Sequence, residues 1–264
     1  MASATDQRTA FCHVDAHGSV IAEHAADEAF YAASTLKLGV ALAVLREVDR
    51  GVLDLGTQIP SRHRFISAAP GAGEFDFVGD SDEIDDGFPK HGTLMTIADC
   101  LARTIEYSSN EGSNMLTELV GYDTVNAALH DAGATSARVE RLVGDLAARD
   151  LGLTLTVTPR DLARLMQATI TGAILSKRNT ELLMRHLRAQ KYPLIVAEDS
   201  PVLDWGAKSG WVTGIRHDVA WFVRPGENTP EILAVCTEGF AHEQALQRIR
   251  EIADQAFRPR KPTK

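Results

Sequence analysis

Tyr31-Ala32-Ala33-Ser34-Thr35-Leu36-Lys37-Leu38 sets a serine three residues ahead of a lysine, and helix-forming residues follow as far as Leu45. Residues three apart share a helix face, so the two side chains meet on the first turn. A serine hydroxyl is a weak nucleophile until a base takes its proton, and a lysine does so once burial or nearby cations lower its pKa. The start of a helix also leaves backbone N–H groups free to steady an oxyanion. Alone, S-x-x-K is a short pattern, and a helix start with an exposed lysine is the plain alternative.

Working outward, residues 9–15 and 19–23 read as two short strands around the turn Asp15-Ala16-His17-Gly18. The helix that opens at Ser34 runs to about Asp49, with Leu36, Val40, Val44 and Leu45 on its buried face and Gly51 as its stop. Residues 60–92 read as a long irregular region. Its acidic run, Glu74, Asp76, Asp80, Asp82, Glu83, Asp85 and Asp86, suits a solvated surface loop, or else a rim that discourages anionic ligands.

Helical periodicity then dominates: residues 96–107 with Ile97, Leu101 and Ile105 on one stripe, a second helix after Ser108-Ser109-Asn110 to Val120, and a third from Tyr122 to Ala132. Residues 138–157 read as irregular. Thr158-Pro159-Arg160-Asp161 is a helix start with an N-cap threonine, a proline at the first helical position and an acid at the third. A further helix covers about Ser176 to Arg188. Strands are expected at 202–208, 218–223 and 231–237, and an amphipathic helix at Ala241–Phe257. Strands at both ends and helices between them predict an α+β fold. An antiparallel sheet of N- and C-terminal strands is flanked by helices, with an all-helical subdomain inserted. One domain is expected over 1–264, its α/β part about 1–55 and 190–264 and its helical part about 56–189.

A net charge of −9 argues against nucleic-acid or anionic-membrane partners, which require a basic surface. The short basic tail at 258–262 reads as a frayed terminus. Cys12, Cys100 and Cys236 lack metal-ligand spacing and read as small core residues. The histidines are scattered, and neither a metal nor a cofactor is expected. No stretch of 18 apolar residues is present, and the polar start carries no secretory signal, which predicts a cytoplasmic protein or one whose leader has been removed.

Three polar clusters sit at element boundaries: Ser34-Thr35-Leu36-Lys37, Ser108-Ser109-Asn110 and Lys208-Ser209-Gly210. They match S-x-x-K, S-x-N and K-[ST]-G in order, the set that marks class A β-lactamases and penicillin-binding proteins. The chain resembles that family also at Asp49-Arg50-Gly51-Val52-Leu53-Asp54-Leu55, at Thr158-Pro159-Arg160-Asp161 and at Gly214-Ile215-Arg216-His217-Asp218, so the likeness covers residues 8–258.

The resemblance implies that Ser34 is acylated, that Lys37 is its base or proton relay, and that Ser108, helped by Lys208, passes a proton to the leaving nitrogen. Asn110 would hold a substrate amide and Lys37, with Gly210 beside them. The backbone N–H groups of Ser34 and Trp211 would form the oxyanion hole, and Ser209 and Arg216 would take a substrate carboxylate. For Arg216 the alternative is a surface salt bridge with Asp218. The chain departs from the family where a loop glutamate should activate the deacylating water: Val143 stands there, and Ala147 replaces the accompanying asparagine. Glu140, Asp145 and Asp150 are the candidate substitutes, or else ordinary loop carboxylates. Ser109 replaces an aspartate, and the disulfide of some members is not expected, because Cys100 has no partner.

The leading expectation is a serine acyl-enzyme hydrolase acting on a β-lactam or a related small amide or ester that carries a carboxylate. The alternatives are a penicillin-binding-like peptidase, esterase or acyltransferase with slow deacylation, and a non-hydrolytic ligand-binding or sensor module. No oligomeric state follows from the sequence.

Overall fold

The computed structural model describes residues 6–77 and 85–258. Strands β1 (Arg8–Asp15) and β2 (Val20–His24) form the opening hairpin. Its turn is set by the Asp15 carboxylate, which accepts the N–H groups of His17 at 2.8 Å and Ser19 at 2.9 Å. A two-residue strand β3 (Phe30–Tyr31) leads into a 3₁₀ turn, Ala33–Leu36, and then helix α1 (Lys37–Asp49). Ser34 thus lies in a tight 3₁₀ turn, where the sequence pattern predicted the first turn of a regular helix.

The region expected to be irregular at 60–92 holds a short strand pair among its described residues, β5 (Arg64–Ile66) with β6 (Glu74–Asp76), and it is bracketed by β4 (Gln58–Pro60), which pairs with β7 (Leu94–Thr96). Helices α2 (Ile97–Glu106), α3 (Asn110–Val120) and α4 (Tyr122–Asp131) follow. Residues 138–157 also carry structure: β8 (Arg138–Val139), a one-turn α5 (Leu146–Asp150) and β9 (Leu155–Val157), which pairs with both β8 and β3. Runs this short bury too little to leave a periodicity in sequence. Helix α6 (Pro159–Thr171) opens on the expected capping box, with Thr158 Oγ1 accepting from Asp161 N and the Asp161 carboxylate accepting from Thr158 N, each at 3.0 Å.

After α7 (Lys177–Arg188) come β10 (Asp204–Val212), β11 (Ile215–Val223) and β12 (Glu231–Glu238), then α8 (His242–Phe257). The five-stranded sheet has the order β10-β11-β12-β1-β2 and is antiparallel, the first strand pairing with the last from Arg8↔Glu238 to Asp15↔Glu231. This is the expected sheet of N- and C-terminal strands. Its ladder extends further than expected: Ser209↔Asp218 through Val212↔Ile215 are paired up to the Gly214 turn. Lys208-Ser209-Gly210 therefore lies inside β10, not at a strand end.

Alternation along the strands serves two cores. Val219, Trp221, Ile232, Ala234 and Cys236 face the helical layer, while Ala220, Phe222, Leu233 and Val235 face Ile249, Ala253 and Phe257 of α8. Helix α1 is buried along the whole run Lys37–Leu45, because it packs against α2, α3, α4 and α6 instead of presenting one face to solvent. Lys37 is carried into the interior with it. Cys12, Cys100 and Cys236 are free and buried, as expected of core residues. Among the described residues no helix is long and apolar enough to cross a membrane.

Candidate active site

Ser34 sits where β3, α1 and β10 converge. Gly210 on β10 allows this approach: a Cβ there would lie 2.5 Å from the Ser34 backbone nitrogen and 2.7 Å from that of Thr35. The strand main chain thus runs against the 3₁₀ turn and sets Trp211 beside Ser34. From β11, the buried His217 holds the same region, its Nε2 bonding the Tyr31 carbonyl oxygen at 2.9 Å. Burial pushes His217 down to about 4, so the imidazole is neutral at pH 7.

Two non-glycine residues at the site are left-handed, Ala33 at φ +46 and Ser108 at φ +60. Such conformations cost about 1–3 kcal/mol each and persist only where surrounding contacts impose them. Ala33 directly precedes the serine, and Ser108 bonds both lysines.

Lys37 Nζ lies 2.9 Å from Ser34 Oγ, 2.6 Å from Asn110 Oδ1 and 3.4 Å from Ser108 Oγ, and it also donates to the Ser108 carbonyl oxygen. Lys208 Nζ donates to Ser108 Oγ at 3.0 Å and to the Ser209 carbonyl oxygen at 2.7 Å. One continuous polar path therefore joins Ser34, Lys37, Ser108 and Lys208. Burial depresses the Lys37 pKa well below the ordinary lysine value, and the positive charge of Lys208 lowers it further, against the opposing pull of Glu111 and Asp85. Burial brings Lys208 down to about 7, opposed by Asp218.

A cavity of about 1340 Å³ opens over this path, lined among others by Ser34, Ser108, Asn110, Val143, Tyr192 and Trp211. Asp76, Asp85 and Asp86 from the acidic run are on its wall. Asp85 is not a solvated loop carboxylate, since its side chain is 5% exposed and accepts from Arg103 Nε at 2.7 Å. Asp80, Asp82 and Glu83 lie outside the described residues, as does the tail beyond residue 258.

Other expected site residues are placed differently. Ser209 is fully buried on the far side of β10, where its oxygen accepts from Gln190 Nε2 at 2.8 Å. Alternation along the strand sets it on the face opposite Lys208 and Gly210, where the segment carrying Gln190 covers it. Arg216 stands 5.9 Å over the Trp211 ring and touches His242. Its alternative partner Asp218 faces elsewhere, accepting the N–H groups of Leu194 and Ile195 at 2.8 Å each.

The three substitute carboxylates are each engaged by other groups. Asp145 is buried as the cap of α5 and accepts from Ser67 Oγ and Ala68 N at 2.7 and 2.8 Å. Glu140 accepts from Thr154 N at 2.9 Å, and Asp150 pairs with Arg149 on the surface. Val143 does line the cavity.

Sequence reading missed Glu111, Asn114, Gln190 and His217. Glu111 is 1% exposed, with Oε2 taking the Ser109 hydroxyl at 3.1 Å and His63 Nδ1 3.7 Å from Oε1. An acid directly after Ser108-Ser109-Asn110 was the available signal. The other three act mainly through contacts with distant backbone groups, and Gln190 also through the Ser209 hydroxyl, and leave no pattern.

A family model described as the β-lactamase enzyme family matches residues 1–258. The chain belongs to this family. A β-lactamase of Streptomyces fradiae is 27% identical over 247 residues, 91% of this chain and 76% of that protein. Among solved structures, the β-lactamase of Sphaerobacter thermophilus is 27% identical, with TM-score 0.76 over 97% of this chain and 94% of that one. A β-lactamase of Xanthomonas campestris is 25% identical, with TM-score 0.75 over 96% and 92%. The structure of PBP-A shares the fold at 20% identity and TM-score 0.75, over 95% and 89%. The chain is thus a serine β-lactamase-like hydrolase of mixed α+β fold.

Proposed function

We propose that this protein opens a β-lactam, or a related small amide or ester bearing a carboxylate, by acylating Ser34. The observation that carries the reading is the contact of a buried, pKa-depressed Lys37 with Ser34 Oγ at 2.9 Å. As a neutral amine, Lys37 keeps two N–H donors for Asn110 Oδ1 and the Ser108 carbonyl oxygen and turns its lone pair to the serine hydroxyl.

In acylation, the Ser34 Oγ–carbonyl bond forms as the hydroxyl proton passes to Lys37 Nζ. The oxyanion is met by the backbone N–H groups of Ser34 and Trp211, each worth roughly 3 kcal/mol in serine hydrolases. The carbonyl–nitrogen bond then breaks. The leaving nitrogen takes the Ser108 hydroxyl proton, which Lys37 or Lys208 replaces. Asn110 anchors Lys37 and the substrate amide.

Hydrolysis of the acyl-enzyme requires a base for water. Val143 supplies none, and the side chains of Glu140, Asp145 and Asp150 are engaged elsewhere. This supports a second reading, a penicillin-binding-like, esterase or acyltransferase protein in which the acyl group waits for another acceptor. Intact-mass spectrometry after mixing with a penicillin and a cephalosporin separates the two. A transient adduct with hydrolysed product marks a lactamase, and a lasting adduct marks the slow-release form. Loss of all adduct in Ser34→Ala is expected, and an adduct surviving that change sinks both readings.

A further inference from the structure

Beside Ser34 the cavity wall is aromatic. Tyr192 and Trp211 meet edge to face, ring centres 5.4 Å apart and planes at 78°. Tyr192 is 44% exposed and Tyr107, further along the wall, 39%. Large aromatic side chains left exposed inside a cavity are a binding surface more than a packing one.

This wall is held rigidly. Gln190 Nε2 donates to the buried Ser209 Oγ at 2.8 Å, while Gln190 Oε1 accepts the backbone N–H of Tyr192. The Lys191 N–H bonds the Glu106 carbonyl oxygen at 2.9 Å, and the buried Asp218 carboxylate takes the N–H groups of Leu194 and Ile195. Three anchors therefore fix residues 190–195 to β10, β11 and the end of α2. Ser209, a residue of the K-[ST]-G cluster, is engaged in presenting Tyr192.

We propose that Tyr192 and Trp211 form a preformed slot for a planar aromatic group adjoining the scissile carbonyl, so that the substrates of this site are aryl-bearing acyl compounds. The proposal rests on the acyl-enzyme reading for its chemistry and deepens it by naming the substrate class. Edge-to-face rings leave a flat face and a perpendicular edge, which a third ring satisfies together. A flexible alkyl chain gains less and loses more rotamer freedom on binding.

Two measurements test it. In the first, acylation rate constants are compared for a penicillin with a phenylacetyl side chain and one with a hexanoyl side chain. The aryl compound should react about tenfold faster, the scale of one or two aromatic contacts. That ratio should fall toward one in Tyr192→Leu and Trp211→Leu, with thermal melting confirming that each is folded. In the second, calorimetry on Ser34→Ala compares phenylacetate with hexanoate, where no acyl chemistry is involved. Tighter phenylacetate binding, weakened by Tyr192→Leu, is expected. Adduct formation without aryl preference in either measurement overturns the slot. Aryl-selective binding in Ser34→Ala without any adduct in the wild type overturns the acyl-enzyme reading with β-lactams and leaves the slot standing.

Discussion

Asn114 grips Val143 by both of its backbone groups: Nδ2 donates to the Val143 carbonyl oxygen and Oδ1 accepts the Val143 N–H, each at 2.9 Å. A helix side chain thereby fixes the one loop residue where a water-activating carboxylate is absent. A small space of about 20 Å³ lies between Val143, Lys37, Ser113 and Asn114, enough for about one water.

That grip predicts the effect of Val143→Glu. The backbone is already held, so a carboxylate at this position meets the acyl-enzyme without rebuilding the loop. Time-resolved mass spectrometry should show the Ser34 adduct decaying about 100-fold faster, the usual scale of a general base. An unchanged lifetime means that residue 143 does not face the attacking water.

Glu111→Gln alters the pH profile of acylation. Its negative charge raises the Lys37 pKa against burial and Lys208. Removing the charge lowers that pKa, so the neutral amine is available at lower pH and the acidic limb of the acylation profile moves down. A profile whose limb stays in place while its height falls indicates a packing role alone.

Lys208 costs stability. Its pKa is about 7 when folded and near 10.5 when unfolded, so between those values the unfolded chain holds a proton that the folded chain lacks. Stability from this group is greatest above pH 10.5, declines as pH falls toward 7 and is lowest below 7. Lys208→Met, of similar shape and uncharged, should melt several degrees higher at pH 6, with the gain fading by pH 10, while acylation slows about 100-fold. A variant that melts lower at pH 6 counts against the buried-cation account.

Gly210→Ala tests the close approach of β10. Its Cβ would strike the Ser34 and Thr35 backbone nitrogens, and backbone does not yield as a side-chain tip would. Acylation should fall about 100-fold through the displaced oxyanion donors, with a lowered melting temperature. Normal acylation would show that the turn and strand separate freely.

Much of this was legible from residues 31–38 outward, because local rules act on neighbours in the chain. The Thr158 capping box, the hydrophobic spacing of α2 and the order of the three polar clusters are local patterns. The resemblance to the family also exposed the gap at Val143. Contacts between distant segments are another matter. That Ser209 is buried under Gln190 depends on strand register and on a loop 19 residues earlier in the chain. The depressed Lys37 depends on burial of all of α1, which periodicity read as one buried face. The sequence by itself determined which polar clusters are present and in what order they occur. Only the tertiary structure decided their charge states, which of them reach the cavity, and that an aromatic wall stands beside Ser34, because burial and distance are set by packing between segments far apart in the chain.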